Sequence, residues 1–181
     1  MLILKKIIQI GLIPTLIGVI AFAQAATNGT IGANSTGSMN LSVTVPKIIV
    51  ITNITDPAAA TFNGTNPVNL SGSLCVGTNS AAGYSITATS ANPGSSNTFN
   101  LSDGTNPVPY NVAWATTAGA TTGGTAFGSS GATLTFAGGS VPNIACSADN
   151  ASVVISVPAA NLQAVPASIY TDTLTLYVQP Q

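Results

Sequence analysis

The chain has 181 residues, of which three are Lys, four are Asp and none is Arg, Glu or His. Only 4% of its residues carry a charge, whereas about 25% do so in an ordinary globular protein. Nucleic-acid binding is excluded, because no basic surface is available to neutralise phosphates. An enzyme is not expected either, because the side chains that usually carry general acid–base catalysis are nearly absent.

Residues 1–25 have the pattern of a secretory signal peptide. Two lysines are followed by the apolar run Ile7–Phe22 and by the small-residue ending Ala23-Gln24-Ala25. This pattern predicts cleavage after the last alanine of that ending and export of the remaining chain. The alternative is an uncleaved anchor, since the apolar run is about long enough to span a bilayer, but Pro14 and the small-residue ending favour cleavage. After cleavage, no polybasic or amphipathic segment remains that could insert into a membrane.

Residues 26–46 contain one segment with the alternation of a β-strand. Its apolar residues are separated by small polar ones and share one face: Met39, Leu41, Val43 and Val45. A period of two is typical of a strand with one apolar side. Pro46 follows, and because it lacks an N–H group it would interrupt a continuous ladder into the next strand. The segment is therefore either a strand that is free to leave its own domain or the first strand of a complete fold.

Residues 47–181 predict strands and almost no helix. Alternation of apolar and polar residues predicts four strands, with the apolar faces Tyr84/Ile86/Ala88, Tyr110/Val112/Trp114, Leu134/Phe136 and Leu174/Leu176/Val178. The apolar runs Lys47–Ile51 and Val153–Val157 predict strands that are buried on both faces or that lie at a sandwich core. One or two helical turns are expected between Pro158 and Pro166. Many short strands separated by turns predict an all-β, immunoglobulin-like β-sandwich.

Two features of the connecting segments are informative. The sequence Gly-Thr-Asn-Pro-Val occurs at Gly64–Val68 and again at Gly104–Val108, each time before a predicted strand. Because the flanking residues do not match, shared turn chemistry explains the recurrence better than an internal repeat. The Ala/Thr/Gly/Ser-rich stretch Thr116–Gly131 has no periodicity and predicts a mobile surface loop.

The two cysteines, Cys75 and Cys146, are expected to form a disulfide, because an exported chain enters an oxidising compartment. A metal pair or a catalytic thiol is disfavoured, since there is no His and no Cys-x-x-Cys motif. The four Asp residues are scattered, so neither a metal site nor a cofactor is predicted. Trp114 shares one strand face with Tyr110 and Val112, which favours a core position over a sugar-stacking role.

The ending Ile169–Val178 resembles the last motif of spore coat U-like domains, a family that includes pilin subunits of archaic chaperone–usher pili. Two further segments fit that family in the same order. They are Leu74–Gly77, which leads into the strand Tyr84–Ser90, and Val108–Val112 in mid-chain.

The resemblance implies an immunoglobulin-like domain that lacks one strand and has no catalytic activity. In such pilins a periplasmic chaperone, and later the N-terminal extension of the next subunit, fills an apolar groove by donor-strand complementation. By this resemblance, 26–46 is the extension with the donor strand Ser38–Val45, and 47–181 is the pilin domain. Leu174, Leu176 and Val178 would face the core or line the groove.

The partners implied by the resemblance are other copies of this chain or related pilin subunits, a periplasmic chaperone and an outer-membrane usher. The expected product is an adhesion-related fibre on the cell surface. The alternative is a secreted, monomeric β-sandwich that binds carbohydrates or surfaces.

Overall fold

The computed structural model describes residues 25–137 and 144–181. The predicted signal peptide therefore lies outside the described residues, apart from Ala25. The chain divides into two units, Met1–Val45 and Pro46–Gln181, and each is described by itself.

The second unit is nearly all-β, which confirms the predicted strand content. Its strands are β1 (Ile49–Thr52), β2 (Val68–Thr78), β3 (Tyr84–Ser90), β4 (Phe99–Ser102), β5 (Pro107–Ala115), β6 (Thr125–Ala126), β7 (Thr133–Phe136), β8 (Ala151–Val157) and β9 (Leu174–Pro180). The short helix α1 (Ala159–Gln163) lies between β8 and β9, within the predicted helical stretch. In the described ranges, no helix is long and apolar enough to cross a membrane.

The strands form two antiparallel sheets, an arrangement consistent with a β-sandwich. The larger sheet has the order β1-β2-β8-β5-β4, with β6 beside β5, and the smaller sheet has the order β7-β3-β9. Both sheets contribute side chains to one apolar core. Trp114 on β5 is only 1% exposed, and its indole N–H donates to the Tyr84 hydroxyl on β3 at 3.1 Å. The predicted core position of Trp114 is confirmed.

Strands β1 and β8 show how position in a sheet decides burial. The run Val153–Val157 lies in β8, which pairs with β2 on one side and β5 on the other and is largely buried. For Lys47–Ile51, burial on both faces is not found, but Ile49 and Ile51 pack against the core, as the alternative of a strand at a sandwich core requires. The strand in this run begins only at Ile49, pairs with β2 alone and is half-buried, because it forms the edge of the larger sheet.

The two Gly-Thr-Asn-Pro-Val sequences form the same turn, as predicted. The side-chain oxygen of Asn63 accepts hydrogen bonds from the amides two and three residues later, at 3.1 and 2.9 Å. Asp103 makes the equivalent bonds at 2.9 and 2.7 Å. Gly64 and Gly104 follow with φ values of 90° and 93°, which a glycine adopts without steric cost. Each turn leads directly into a strand, β2 or β5.

The stretch Thr116–Gly131 is mostly exposed and lies largely outside the strands, as a surface loop would, but part of it is tied to the sheet. It contains β6, and Phe127 is only 4% exposed. Gly124, with φ of 90°, lies so close to β5 that a Cβ atom there would come within 2.7 Å of the Trp114 carbonyl oxygen. Small residues thus let this backbone pack closely against β5, and the single large apolar residue anchors it in the core.

The predicted disulfide is confirmed. Cys75 and Cys146 are joined, and their Cα atoms are 5.6 Å apart, within the usual range for such a bond. Cys75 lies in the middle of β2, and Cys146 lies in the segment that leads into β8. The bond therefore fastens that segment to the larger sheet.

Candidate functional site

Strand β9 has one paired edge and one free edge. It pairs antiparallel with β3 along its whole length, from Leu174 opposite Ser90 to Pro180 opposite Tyr84. Among the strands of the described ranges, no other pairs with β9. Its second edge therefore presents main-chain N–H and C=O groups to which another strand can be added.

The side chains of β9 alternate between two environments, because successive strand residues point to opposite faces. Leu174, Leu176 and Val178 are half-buried and pack against the core. Thr175 and Tyr177 lie on the opposite face and are exposed. The apolar face of β9 thus points between the sheets, beside the free edge.

An apolar groove with a volume of about 440 Å³ lies next to the first half of β9. Its apolar lining from the strands consists of Leu70 and Leu74 on β2, Leu101 on β4, Val153 and Ile155 on β8, and Leu174 and Leu176 on β9. The groove is thus lined by both sheets, and a side chain entering it would be surrounded by apolar atoms.

The segment Ile54–Ala59, which continues from β1, lines a further side of the groove. It passes close to β2 at Gly72, where an added Cβ atom would lie 3.2 Å from the carbonyl oxygen of Thr55. Within the described part of the chain, no hydrogen bond engages the backbone of this segment. It therefore offers further main-chain groups to an occupant of the groove.

Asp172 marks a polar end of the groove, where it links the two sheets. Its carboxylate accepts hydrogen bonds from the hydroxyl groups of Tyr110 at 2.5 Å and Ser90 at 2.7 Å. It also accepts the backbone amides of Ala91 and Thr173, at 3.0 and 2.8 Å. Tyr110 belongs to the larger sheet, whereas Ser90 belongs to the smaller one, so this carboxylate joins them.

The electrostatics of Tyr110 fit its role as a donor. Burial, the hydrogen bond to Asp172 and the charge of that carboxylate all raise the pKa of the Tyr110 hydroxyl well above its ordinary value. The hydroxyl therefore keeps its proton and donates a hydrogen bond to the carboxylate. Close by, Ser102 and Thr171 exchange two backbone hydrogen bonds of 2.9 and 3.0 Å, which form a second link at the same end.

The predicted donor residues lie in the first unit and are exposed. Met39, Leu41, Val43 and Val45 have 73%, 88%, 88% and 75% of their surfaces accessible. Residues 39–45 belong to no strand. Just before them, Thr27 and Ser38 pair through backbone hydrogen bonds of 3.0 and 2.9 Å, which close a loop ahead of the apolar residues.

The sequence alone did not indicate several parts of the groove. The segment Ile54–Ala59 has no alternation that marks it as lining a groove, and Leu70 lies in an alternating stretch that Gly72 interrupts on its apolar face. The contact between Tyr110 and Asp172 joins residues 62 positions apart. One residue could have indicated the polar end of the groove from the sequence. Asp172 is a lone acidic residue two positions before the alternating strand β9. In the described ranges, no group of three or more His, Cys, Asp or Glu residues could hold a metal ion.

Comparisons with known proteins give no indication of the function. No family model matches the sequence, and no curated protein is significantly similar to it. The resemblance to spore coat U-like domains stays a prediction.

Proposed function

We propose that this protein is an exported structural subunit of a surface fibre, whose copies join by donor-strand complementation. The domain would be an immunoglobulin-like sandwich that lacks one strand. One observation carries the proposal: the same chain holds a free strand edge beside an apolar groove and, separately, an exposed segment with apolar residues at every second position.

The segment Ser38–Val45 has the chemistry that the groove requires. A strand added beside β9 lies about 4.8 Å from it and forms main-chain hydrogen bonds with the free edge. In an extended conformation, its apolar side chains face the groove, while Asn40, Ser42 and Thr44 face solvent. Such an occupant satisfies both the polar edge and the apolar lining.

The energy available from this insertion is substantial. Each apolar side chain that becomes buried contributes roughly 1.5–3 kcal/mol. The groove extends along Leu174 and Leu176, two successive inward positions of β9, so at least two donor side chains find places in it. Part of this energy offsets the ordering of the free segment, and the main-chain ladder adds to the remainder.

The absence of charged residues on β9 fits a strand edge that pairs with another strand. Edge strands of soluble monomers are commonly protected by Lys and other charged residues, but β9 contains no charged residue at all. An unprotected edge beside apolar surface would promote aggregation, so the free subunit needs a cover. We propose that a periplasmic chaperone supplies this cover until the next subunit arrives at an outer-membrane usher.

The geometry of the contact explains why a fibre results. Donor and groove are different surfaces of the same chain, so each subunit gives one contact and receives another. Such a heterologous contact propagates along a line unless its rotation closes a ring. The partners are therefore other copies of this chain or related pilin subunits.

The test compares two substitutions in the donor segment. Leu41→Arg places a charge on the face that enters the groove, so we expect a subunit that folds with its chaperone but does not polymerise. Asn40→Arg is the matched control on the solvent face, and we expect it to polymerise normally. Fibre formation is measured by electron microscopy and by light scattering after release from the chaperone.

Deletion of 26–45 gives a second test. We expect chaperone-bound monomers that bind an added Ser38–Val45 peptide. If the deletion instead unfolds the domain outright, the segment is an internal strand and the donor assignment fails. If the isolated full-length protein is a stable monomer that binds no peptide, the carbohydrate- or surface-binding alternative gains, although Trp114 is buried and cannot be its stacking platform.

A further inference from the structure

We propose that Asn79 is a positioning residue that directs the donor strand into a neighbouring copy instead of back into its own groove. Asn79 would do so by holding the link Pro46–Ile48, which connects the donor segment to β1. The inference rests on the proposed function, because it concerns which groove the same donor strand enters.

The side chain of Asn79 binds both ends of the link. Its Oδ1 accepts the amide N–H of Ile48 at 2.8 Å, and its Nδ2 donates to the carbonyl oxygen of Pro46 at 2.8 Å. The Ile48 carbonyl oxygen also accepts the hydroxyl of Thr78 at 2.9 Å and the amide of Asn79 at 3.3 Å. Four hydrogen bonds therefore hold a three-residue link to the end of β2.

The link is too short to act as a flexible tether. The last donor residue is Val45 and β1 begins at Ile49, so the three residues between them span at most about 10 Å. With its two ends fixed by Asn79, the link sets the direction in which the preceding chain leaves the domain.

The chain is nevertheless long enough to reach its own groove. From Ile49, β1 runs towards Ile54–Ala59, which lines the groove. The eight-residue segment Ser38–Val45, folded back as a strand along β1, covers about 26 Å, more than the length of the four-residue β1. Self-insertion therefore requires only that the chain reverse at Pro46–Ile48, as in a hairpin with a three-residue loop.

Such a reversal would otherwise be favoured. A strand tethered by a short linker has an effective concentration in the millimolar range, which exceeds the concentration of free subunits in a dilute solution. The reversal, however, redirects the backbone at Pro46 and Ile48 and breaks the two side-chain hydrogen bonds to Asn79. Asn79 thus acts against self-insertion and in favour of donation to another copy.

The experiment replaces Asn79 with Ala and measures the products after release from the chaperone. Loss of the two side-chain bonds is expected to raise the ratio of self-complemented monomer to polymer roughly ten- to hundredfold. Size-exclusion chromatography with light scattering gives this ratio. A self-complemented monomer is recognised by two properties. Its proportion does not depend on protein concentration, and it does not bind an added Ser38–Val45 peptide, because its own strand fills the groove.

Asn161→Ala is the matched control. Asn161 also donates its amide to a proline carbonyl oxygen, that of Pro109, at 2.8 Å, but it lies on α1, away from the link. We expect this variant to polymerise like the original chain, even if its thermal midpoint falls as much as that of Asn79→Ala. Asn79→Asp keeps the acceptor for the Ile48 amide and loses the donor to the Pro46 carbonyl oxygen. We therefore expect it to give an intermediate ratio of self-complemented monomer to polymer. If the alanine variant does not fold, this variant is used in its place.

The outcomes separate the two proposals. If Asn79→Ala polymerises like the original chain while Leu41→Arg does not, the inference about Asn79 is overturned and the fibre function stands. Monomers of Asn79→Ala that still bind the peptide also overturn it, because their groove is empty. If Leu41→Arg polymerises as well, the proposed function itself fails.

Discussion

Asn63 and Asp103 each stabilise a turn by accepting backbone hydrogen bonds, but only Asp103 can carry a charge. Each side-chain oxygen accepts two backbone amides in a turn of identical sequence. The hydrogen bonds to Asp103 favour its charged form, and the amides and side chain of its neighbours, Asn106 first, lower its pKa to about 2. The turn itself needs only an acceptor, as Asn63 shows.

We predict that Asp103→Asn flattens the acid dependence of stability. Because the pKa of Asp103 is lower in the folded chain than its ordinary value of 3.8, its stabilising effect is present above pH 3.8 and is lost as the pH falls towards 2. The amide keeps the acceptor but does not titrate. The measurement is the thermal midpoint of both proteins at several pH values, and parallel curves below pH 4 would contradict the prediction.

Residue environments were predictable where the neighbouring sequence decides them. The core position of Trp114 follows from its place on the same strand face as Tyr110 and Val112. The two turns follow from Asn or Asp and Gly at fixed spacing. The cluster around Asp172 could not be predicted. Its partners Tyr110 and Ser90 come from two other strands, and no local pattern records which strands become neighbours.

At the scale of the element, β9 and β2 show the strength and the limit of alternation. Alternation predicts β9 because one face is apolar and the other is made of Thr and Tyr. For β2, only the turn Gly64–Val68 predicts a strand, because Gly72 occupies one of the positions on the apolar face of Val68, Leu70, Leu74 and Val76 and leaves the alternation incomplete. Gly72 is needed there, since the segment Ile54–Ala59 passes too close for a larger residue to fit without adjustment.

We predict that Leu176→Asp prevents accumulation of the folded protein. Leu176 faces the groove and the core, and an unpaired carboxylate buried there costs several kcal/mol. Thr175→Asp is the control, because that side chain is the exposed neighbour on the same strand. Protein levels are compared by immunoblotting, and equal accumulation of the two variants would show that the apolar face of β9 is not buried.

At the scale of the whole molecule, the groove is a product of topology. Its lining residues run from Ile54 to Leu176, a separation that no sequence window covers. The all-β class could be predicted from composition and alternation, and the disulfide from two cysteines in a chain with a predicted signal peptide. The order of the strands, and therefore the strand edge that stays free, depends on pairings between distant segments.

The link held by Asn79 has one more consequence, which concerns proteolysis. Lys47, in the middle of that link, is exposed and is the only Lys or Arg between residue 26 and the C-terminus. Trypsin cleaves after Lys and Arg, so it has a single possible site in residues 26–181, and a cut there separates the proposed donor segment from the second unit.

Digestion of a fibre should therefore leave single domains of residues 48–181, each retaining the cleaved segment of its neighbour in its groove. Native mass spectrometry would detect that pair as one mass, and denaturing conditions would split it into two. A monomeric binding protein treated in the same way would lose its N-terminal peptide and retain nothing. If the chain forms the proposed fibre, the position of one lysine makes the connection between neighbouring subunits depend on a single peptide bond in each of them.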